Sequence, residues 1–274
     1  MSLTIQTNVA ALSAQKNLSG NQKALLQSFN RLSSGLRVNT ASDDAAGLAI
    51  SESMKSQIRS YTIAERNASD GISMAQTAEG ALGEMHGVLG RLRELAMQSA
   101  NGSLSDTDRG YLNTEFTQLT SEIDRIQQSA KFNGVTLAGS ATASSLVFQV
   151  GLNNLSADQI AVTFGGLNLS TAVGTTITTA ANALAALSVI DTAISTISTQ
   201  RAAFGAAMNK LEVATSNIQT MRLNLSSANS RIVDVDVAQE TSTMSRNQVL
   251  TQAGVSILAQ ANQLPQMAFG LLGH

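Results

Sequence analysis

The sequence predicts a mainly α protein: a long antiparallel helical rod resembling a coiled-coil bundle, a small β-hairpin region, and paired N- and C-terminal helices. Three observations carry this. The 274 residues include a single proline, Pro265, and proline is the residue that most reliably breaks helix interiors. Apolar residues recur at spacings of three and four over long stretches. Aromatic residues make up 3% of the chain, which suits helices packed through Ala, Leu, Ile and Met.

Taken in order, the first helix carries Leu18, Gln22, Leu25, Phe29, Leu32 and Leu36 at heptad spacing. Gly35 and the polar run Asn39-Thr40-Ala41-Ser42-Asp43-Asp44 interrupt it, with Ser42 or Asp43 placed to cap the next helix. That helix begins near Ala45. Its stripe runs through Ile50, Met54, Ile58, Tyr61, Ala64, Ala68, Ile72, Ala75, Ala78, Leu82, Met85, Leu89, Leu92 and Ala96. A repeat near 3.5 over roughly fifty residues reads as a coiled-coil rod of about 75 Å. Asn101-Gly102 ends it. A shorter helix follows, with Leu112, Phe116, Leu119, Ile123 and Ile126 on one face and Ser105 and Asp108 at capping-box spacing.

The period then changes. Phe132-Asn133-Gly134-Val135 contains a turn signal, and Leu146–Val150 and Ile160–Phe164 read as strands. Residues 138–145 and 165–182 hold Gly, Ala, Ser and Thr with almost no charge, and are expected to be exposed connections. A return helix runs from Leu187 through Ile190, Ile194, Ile197, Phe204, Met208, Leu211, Ala214, Ile218, Met221, Leu225, Ala228 and Ile232 to Val235, broken only by Arg201. The divisions expected are 1–43 and 236–274 for the terminal helices, 44–180 for the rod helices, hairpin and short tip, and 181–235 for the return helix.

The two ends share a peculiarity. Before Arg31 the first segment has only Lys16 and Lys23 as charges, and no charged residue follows Arg246. The tail holds Val249, Leu250, Val255, Ile257, Leu258, Leu264, Met267, Phe269, Leu271 and Leu272 among Gln, Asn, Ser and Ala. A lone surface helix usually has a charged face, and these segments are too polar for a bilayer. Leu18, Leu25, Phe29, Leu32, Leu36, Leu258, Leu264 and Leu271 are therefore expected to pair the ends and bury them against other copies of the chain. The competing expectation is packing of both ends onto the rod within one chain.

Chemistry is conspicuously missing. The net charge of −2 gives no footing for nucleic acid or an anionic membrane, and there is no cysteine. His86 and His274 are isolated, so neither a metal site nor a cofactor is expected. No phosphate-binding glycine loop or nucleophile elbow occurs. Asp43-Asp44 read as helix caps rather than as an acid–base pair. No Sec-type leader opens the sequence and no eighteen apolar residues run together, so no membrane insertion is expected.

Residues 28–52 contain Arg31-Leu-Ser-Ser-Gly35-Leu-Arg and Asp43-Asp44-Ala-Ala-Gly-Leu-Ala-Ile, which closely resemble the N-terminal signature of bacterial flagellins. Arg93-Glu-Leu-Ala-Met-Gln-Ser-Ala-Asn101, Phe132-Asn133-Gly134-Val135, Phe148-Gln-Val-Gly151 and Ile257-Leu-Ala-Gln-Ala-Asn-Gln-Leu-Pro-Gln266 resemble further stretches of that family in the same order. Residues 138–182 have no clear counterpart, and the chain resembles a short form without large outer domains.

The resemblance implies a structural subunit, not an enzyme, that polymerises with itself into a filament outside the cell. It implies export in an unfolded state by the flagellar type III system, an export chaperone, a filament cap and hook-junction proteins as partners, and swimming motility. It further implies recognition by the flagellin-sensing Toll-like receptor at Arg91, Leu95 and Glu115, against which stands the plain reading of Leu95 as a packing residue. A hook–filament junction protein is the nearest alternative. An enzyme on the same scaffold would need catalytic groups between 138 and 182, where Asp158 is the only charged residue.

Overall fold

The computed structural model describes residues 7–139 and 143–272, the side chains at 170–171 and 264–272 excepted. By its contacts the chain divides into two compact units, residues 1–56 with 224–274, and residues 57–223.

In the first unit, helix α1 (Val9–Ser34) starts where the Asn8 Oδ1 accepts the Ala11 amide at 3.0 Å. It stops at Gly35, whose φ of 72° is the left-handed conformation that closes a helix. Helix α6 (Val237–Leu272) starts at Asp236, which accepts the amides of Ala238 and Gln239. The two run antiparallel: Asn8 meets Ala261, Leu18 meets Gly254, and Ser28 meets Glu240. Pro265 lies within α6.

A short two-stranded clasp joins the chain at the ends of α1 and α5 (Ala180–Val233). Leu36 and Asp234 form an antiparallel bridge, and the Val235 amide donates to Gly35 at 3.0 Å. Arg37 extends this clasp. Its guanidinium donates to the carbonyls of Arg231 and Ile232 at 3.3 and 2.7 Å, filling acceptors that the last turn of α5 leaves open. Helix α2 (Ala45–Ser99) is capped by Asp44, whose Oδ1 accepts the Gly47 amide at 2.9 Å. Ser42 and Asp43 do not cap it, contrary to expectation, because Asp43 is occupied by the preceding loop: it accepts the amides of Asn39 and Thr40, the Thr40 hydroxyl and the Gln27 amide.

In the second unit α2 and α5 pair antiparallel, tied by Arg93–Asp191, Arg201–Glu79 and Arg222–Glu65 at 2.6–2.7 Å. Arg201, the break in the apolar stripe, is thus a cross-helix partner of Glu79. An exposed or half-exposed pair of the Arg201–Glu79 kind contributes at most about 1 kcal/mol, so the stripe holds the helices together and the ion pairs fix their register. Ala64, Ala68, Ala75, Ala78, Leu82, Met85, Leu89, Leu92 and Ala96 of α2 are buried, facing Ile190, Ile197, Phe204, Leu211 and Ile218 of α5. One 18-residue window of α5 has a mean hydropathy of 1.5. Its Ala183, Ala186 and Ile190 lie in this core.

Helix α3 (Asp106–Ser129) adds Phe116 and Ile123 to the core and starts with the expected capping box, Ser105 and Asp108 each bonding the other's backbone. Hydrogen bonds from the Ser105 hydroxyl and amide hold the Asp108 carboxyl below its ordinary pKa. A depressed carboxylate contributes stability above its unfolded pKa and loses it as pH falls through the folded one. Protection of the amides at the start of α3, relative to their intrinsic exchange at each pH, is therefore expected to fall below about pH 4, and Asp108→Asn should remove that acid dependence. Protection flat with pH in the parent chain would contradict this.

Strands β1 (Lys131–Phe132) and β2 (Val135–Thr136) form a two-residue hairpin through Asn133 and Gly134, with φ of 47° and 82°. Two successive positive φ values are what such a turn demands and what Asn-Gly tolerates. Strands β3 (Ser144–Gln149) and β4 (Gln159–Phe164) pair antiparallel, Leu146 opposite Val162. The described segments on either side of this hairpin are only partly the exposed connections expected. Ala138, Leu167, Leu169, Ala172 and Ile177 are buried, with a short helix, α4 (Ser170–Val173), between them. Side chains of the long helices stitch the later segment down: Ser99 donates to the Ile177 carbonyl, Asn113 accepts the Ile177 amide, and Gln127 donates to the Leu167 carbonyl.

Candidate assembly surface

The terminal pair is unusual for what it fails to bury. Across the 26 residues of α1 the one fully buried residue is Ser28, and among the described side chains of α6 it is Ala261. Leu18, Leu25 and Leu32 are half-buried toward α6, and Leu258 is half-buried toward α1. Leu36 is half-buried in the clasp just past the end of α1. Phe29 departs from the expected seam. It is 53% exposed, because the face of α1 turned to α6 passes through Ser28 and Leu32 instead. Leu264 and Leu271 lie on α6 with side chains outside those described.

On the outward faces Val9, Leu12, Leu26 and Phe29 of α1, and Val249, Leu250, Val255 and Ile257 of α6, are all exposed. Ordering a residue costs about 1–2 kcal/mol, and a pair with two fully buried side chains offsets little of that. Covering the eight exposed apolar side chains would supply on the order of 10 kcal/mol. That gain is available only from outside the pair.

The residues of the sequence signature sit around this pair. Arg31 pairs with Glu240 at 3.6 Å, Gly35 closes α1 and accepts from Val235, and Asp44 caps α2. Asp43 has its carboxyl held below the usual range by hydrogen bonds from Thr40 and Gln27. Asn133 and Gly134 form the turn in the second unit. Two residues that matter here were not singled out from sequence. Glu240 accepts the Ser28 hydroxyl at 2.6 Å and Arg37 closes α5. Only a buried serine on an apolar face hints at the first, and only a cation near a helix end hints at the second.

Arg91, Leu95 and Glu115 are brought together only in part. Arg91 donates to Glu115 at 2.9 Å and to Glu94 at 2.9 Å, and these partners hold its guanidinium above its ordinary pKa. Leu95, however, is 1% exposed within the core. It is a packing residue, and Arg91 and Glu115 are what an outside partner would meet. Among the described residues no cluster of three potential metal ligands occurs.

Two family models match. One, described as the bacterial flagellin N-terminal helical region, covers residues 5–142, and the other, the bacterial flagellin C-terminal helical region, covers residues 187–272. A flagellin of Halalkalibacterium halodurans is 43% identical over 273 residues, spanning 98% of this chain and 100% of that protein. A flagellar filament core protein of Brachyspira hyodysenteriae is 38% identical over 98% of this chain and 100% of its own length. The crystal structure of Bacillus cereus flagellin superposes with a TM-score of 0.51 at 34% identity, covering 56% of this chain and 88% of that one.

Proposed function

The chain belongs to the bacterial flagellin family, and we infer from that membership, joined to the state of its ends, how it performs the family's task. It is a structural subunit of the flagellar filament and not an enzyme. The junction-protein alternative is not favoured, since filament proteins match it from end to end.

In our reading, residues 1–43 and 236–274 pack against their counterparts in other copies and line the inner tube of the polymer, while the second unit forms the surrounding layer. What supports this is the apolar face of α1 and α6, which stays exposed among the described residues. Leu18, Leu25, Leu32 and Leu258 hold the seam between the two helices, and Phe29 serves contacts between copies instead. The nearly uncharged ends stay unfolded until assembly, which suits passage through the type III export channel with a chaperone and incorporation beneath the filament cap, onward from the hook-junction proteins. Arg91 and Glu115 supply the exposed part of a surface for the host Toll-like receptor, with Leu95 acting only by keeping α2 in place.

Seeded growth tests the assembly reading. Purified chain added to sheared filament fragments should lengthen them, as followed by light scattering and electron microscopy. A chain that stays monomeric on such seeds at every salt concentration would defeat it.

A further inference from the structure

Along the α1/α6 seam Ala11, Ala14, Leu18, Asn21 and Leu25 face Thr251, Gly254 and Leu258 at half-buried positions, with Leu18 against the bare Gly254. Polar contacts stand at its two ends. At one end Asn8 Nδ2 donates to the Ala261 carbonyl at 2.8 Å. At the other, Glu240 Oε1 accepts the Ser28 hydroxyl at 2.6 Å and Oε2 lies 3.6 Å from Arg31 Nη1. The Ser28 residue is 2% exposed and the Glu240 side chain 13%. Lys16, Lys23, Arg31 and Arg246 are the other charges of the two helices, so Glu240 is the only carboxylate on the pair. It sits in the first turn of α6, where the helix dipole favours negative charge.

We propose that Glu240 is a positioning residue that pins the axial register of the terminal helix pair. A slip of one turn would carry Ser28 about 5 Å from Glu240, leaving the buried Ser28 hydroxyl without its acceptor. Fixing the register of a helical seam is the best-attested use of a buried polar group. Register matters because it sets where Leu12, Leu26 and Phe29 stand relative to Val249, Val255 and Ile257, and so which outer face neighbouring copies meet. The functional meaning rests on the assembly reading above; the pin itself is a contact within one chain, made once its ends are ordered.

The absence of cysteine makes a direct test simple. A Cβ placed on Gly254 lies 3.9 Å from the Leu18 Cβ, within the range a disulfide spans. Leu18→Cys with Gly254→Cys therefore reports the described register. Leu18→Cys with Leu258→Cys, or with Thr251→Cys, reports a slip of one turn in either direction. Each pair is carried as a minority of full-length chain in filaments grown from unmodified protein, so that weak assembly of a variant does not block the reading. Intrachain cross-links are scored on non-reducing gels.

With Glu240 present, the 18/254 pair should dominate. Glu240→Ala should lower its yield relative to the slipped pairs by roughly tenfold, the weight of one charge-assisted hydrogen bond. Glu240→Gln, which still offers Ser28 an acceptor, should recover part of it. An unchanged 18/254 yield in the Glu240→Ala chain would overturn the proposal. Failure of unmodified chain to extend seeds is a separate result that would strike the assembly reading; the same cross-link comparison in dilute monomer would then decide the pin.

Discussion

Removal of residues 1–36 together with 247–274 is expected to leave a soluble, helical monomer that forms no filament. The second unit keeps its core intact in such a chain, because Leu82, Leu89, Leu92, Phe116, Ile190, Phe204 and Leu211 pack with one another inside residues 57–223. What is lost is α1 and most of the tail, with Val9, Leu12, Leu26, Phe29, Val249 and Ile257 on their open faces. The effect should be all-or-none, since association must overcome roughly 4–15 kcal/mol of lost freedom and the truncation removes the exposed apolar side chains that are gathered on these two helices. Circular dichroism would report the retained helix, and electron microscopy after seeding would report the polymer. Filaments of normal length from the truncated chain would mean that the inner packing is dispensable.

Phe204→Ala should strongly destabilise the second unit. The Phe204 ring is 1% exposed and lies 5.3 Å, centroid to centroid, from that of Phe164, tilted by 30°. It therefore ties α5 to β4 as well as filling the core. Truncating a buried phenylalanine costs about 3–5 kcal/mol, a large share of the 5–15 kcal/mol that holds an ordinary domain together. Urea unfolding of the monomer should show a lowered midpoint with little change in slope, and protection in β3 and β4 should fall with it. Phe204→Leu should lose much less. A midpoint unmoved by the alanine change would mean that the Phe164–Phe204 contact does not stabilise the unit.

Much of the architecture is legible in the residues, for identifiable reasons. One proline and an unbroken apolar repeat leave a chain little alternative to long helices, and α2 and α5 end within a few residues of where Asn101-Gly102 and Val235 suggest. Asn133-Gly134 and Ser105 with Asp108 are local codes, read without knowledge of the rest of the fold. What escaped reading depends on distant partners. Residues 165–179 are uncharged and mostly small, as a loop would be, yet Leu167, Leu169 and Ile177 are buried, with the Leu167 and Ile177 backbone bonded by Gln127, Ser99 and Asn113 from other helices. Composition cannot reveal that.

The candidate surface divides the same way. The lack of charge at both ends was visible, and it marked the helices that turn out to expose apolar side chains. The rotation of α1 was not visible: a heptad drawn through Leu25 and Phe29 puts Phe29 on the seam, whereas the straight helix turns Ser28 inward to meet Glu240. At Leu95 family likeness and burial point different ways: the likeness implies a contact for a partner, and at 1% exposure the side chain packs in the core of the single chain.

The stitched segment from Leu167 to Ile177 has a consequence for economy. It shuts water out of one part of the helical core with a single thread of small residues and a few backbone bonds, where a bulkier decoration could have served as the plug. In a polymer that repeats one subunit along its whole length, every residue spared is spared in each copy.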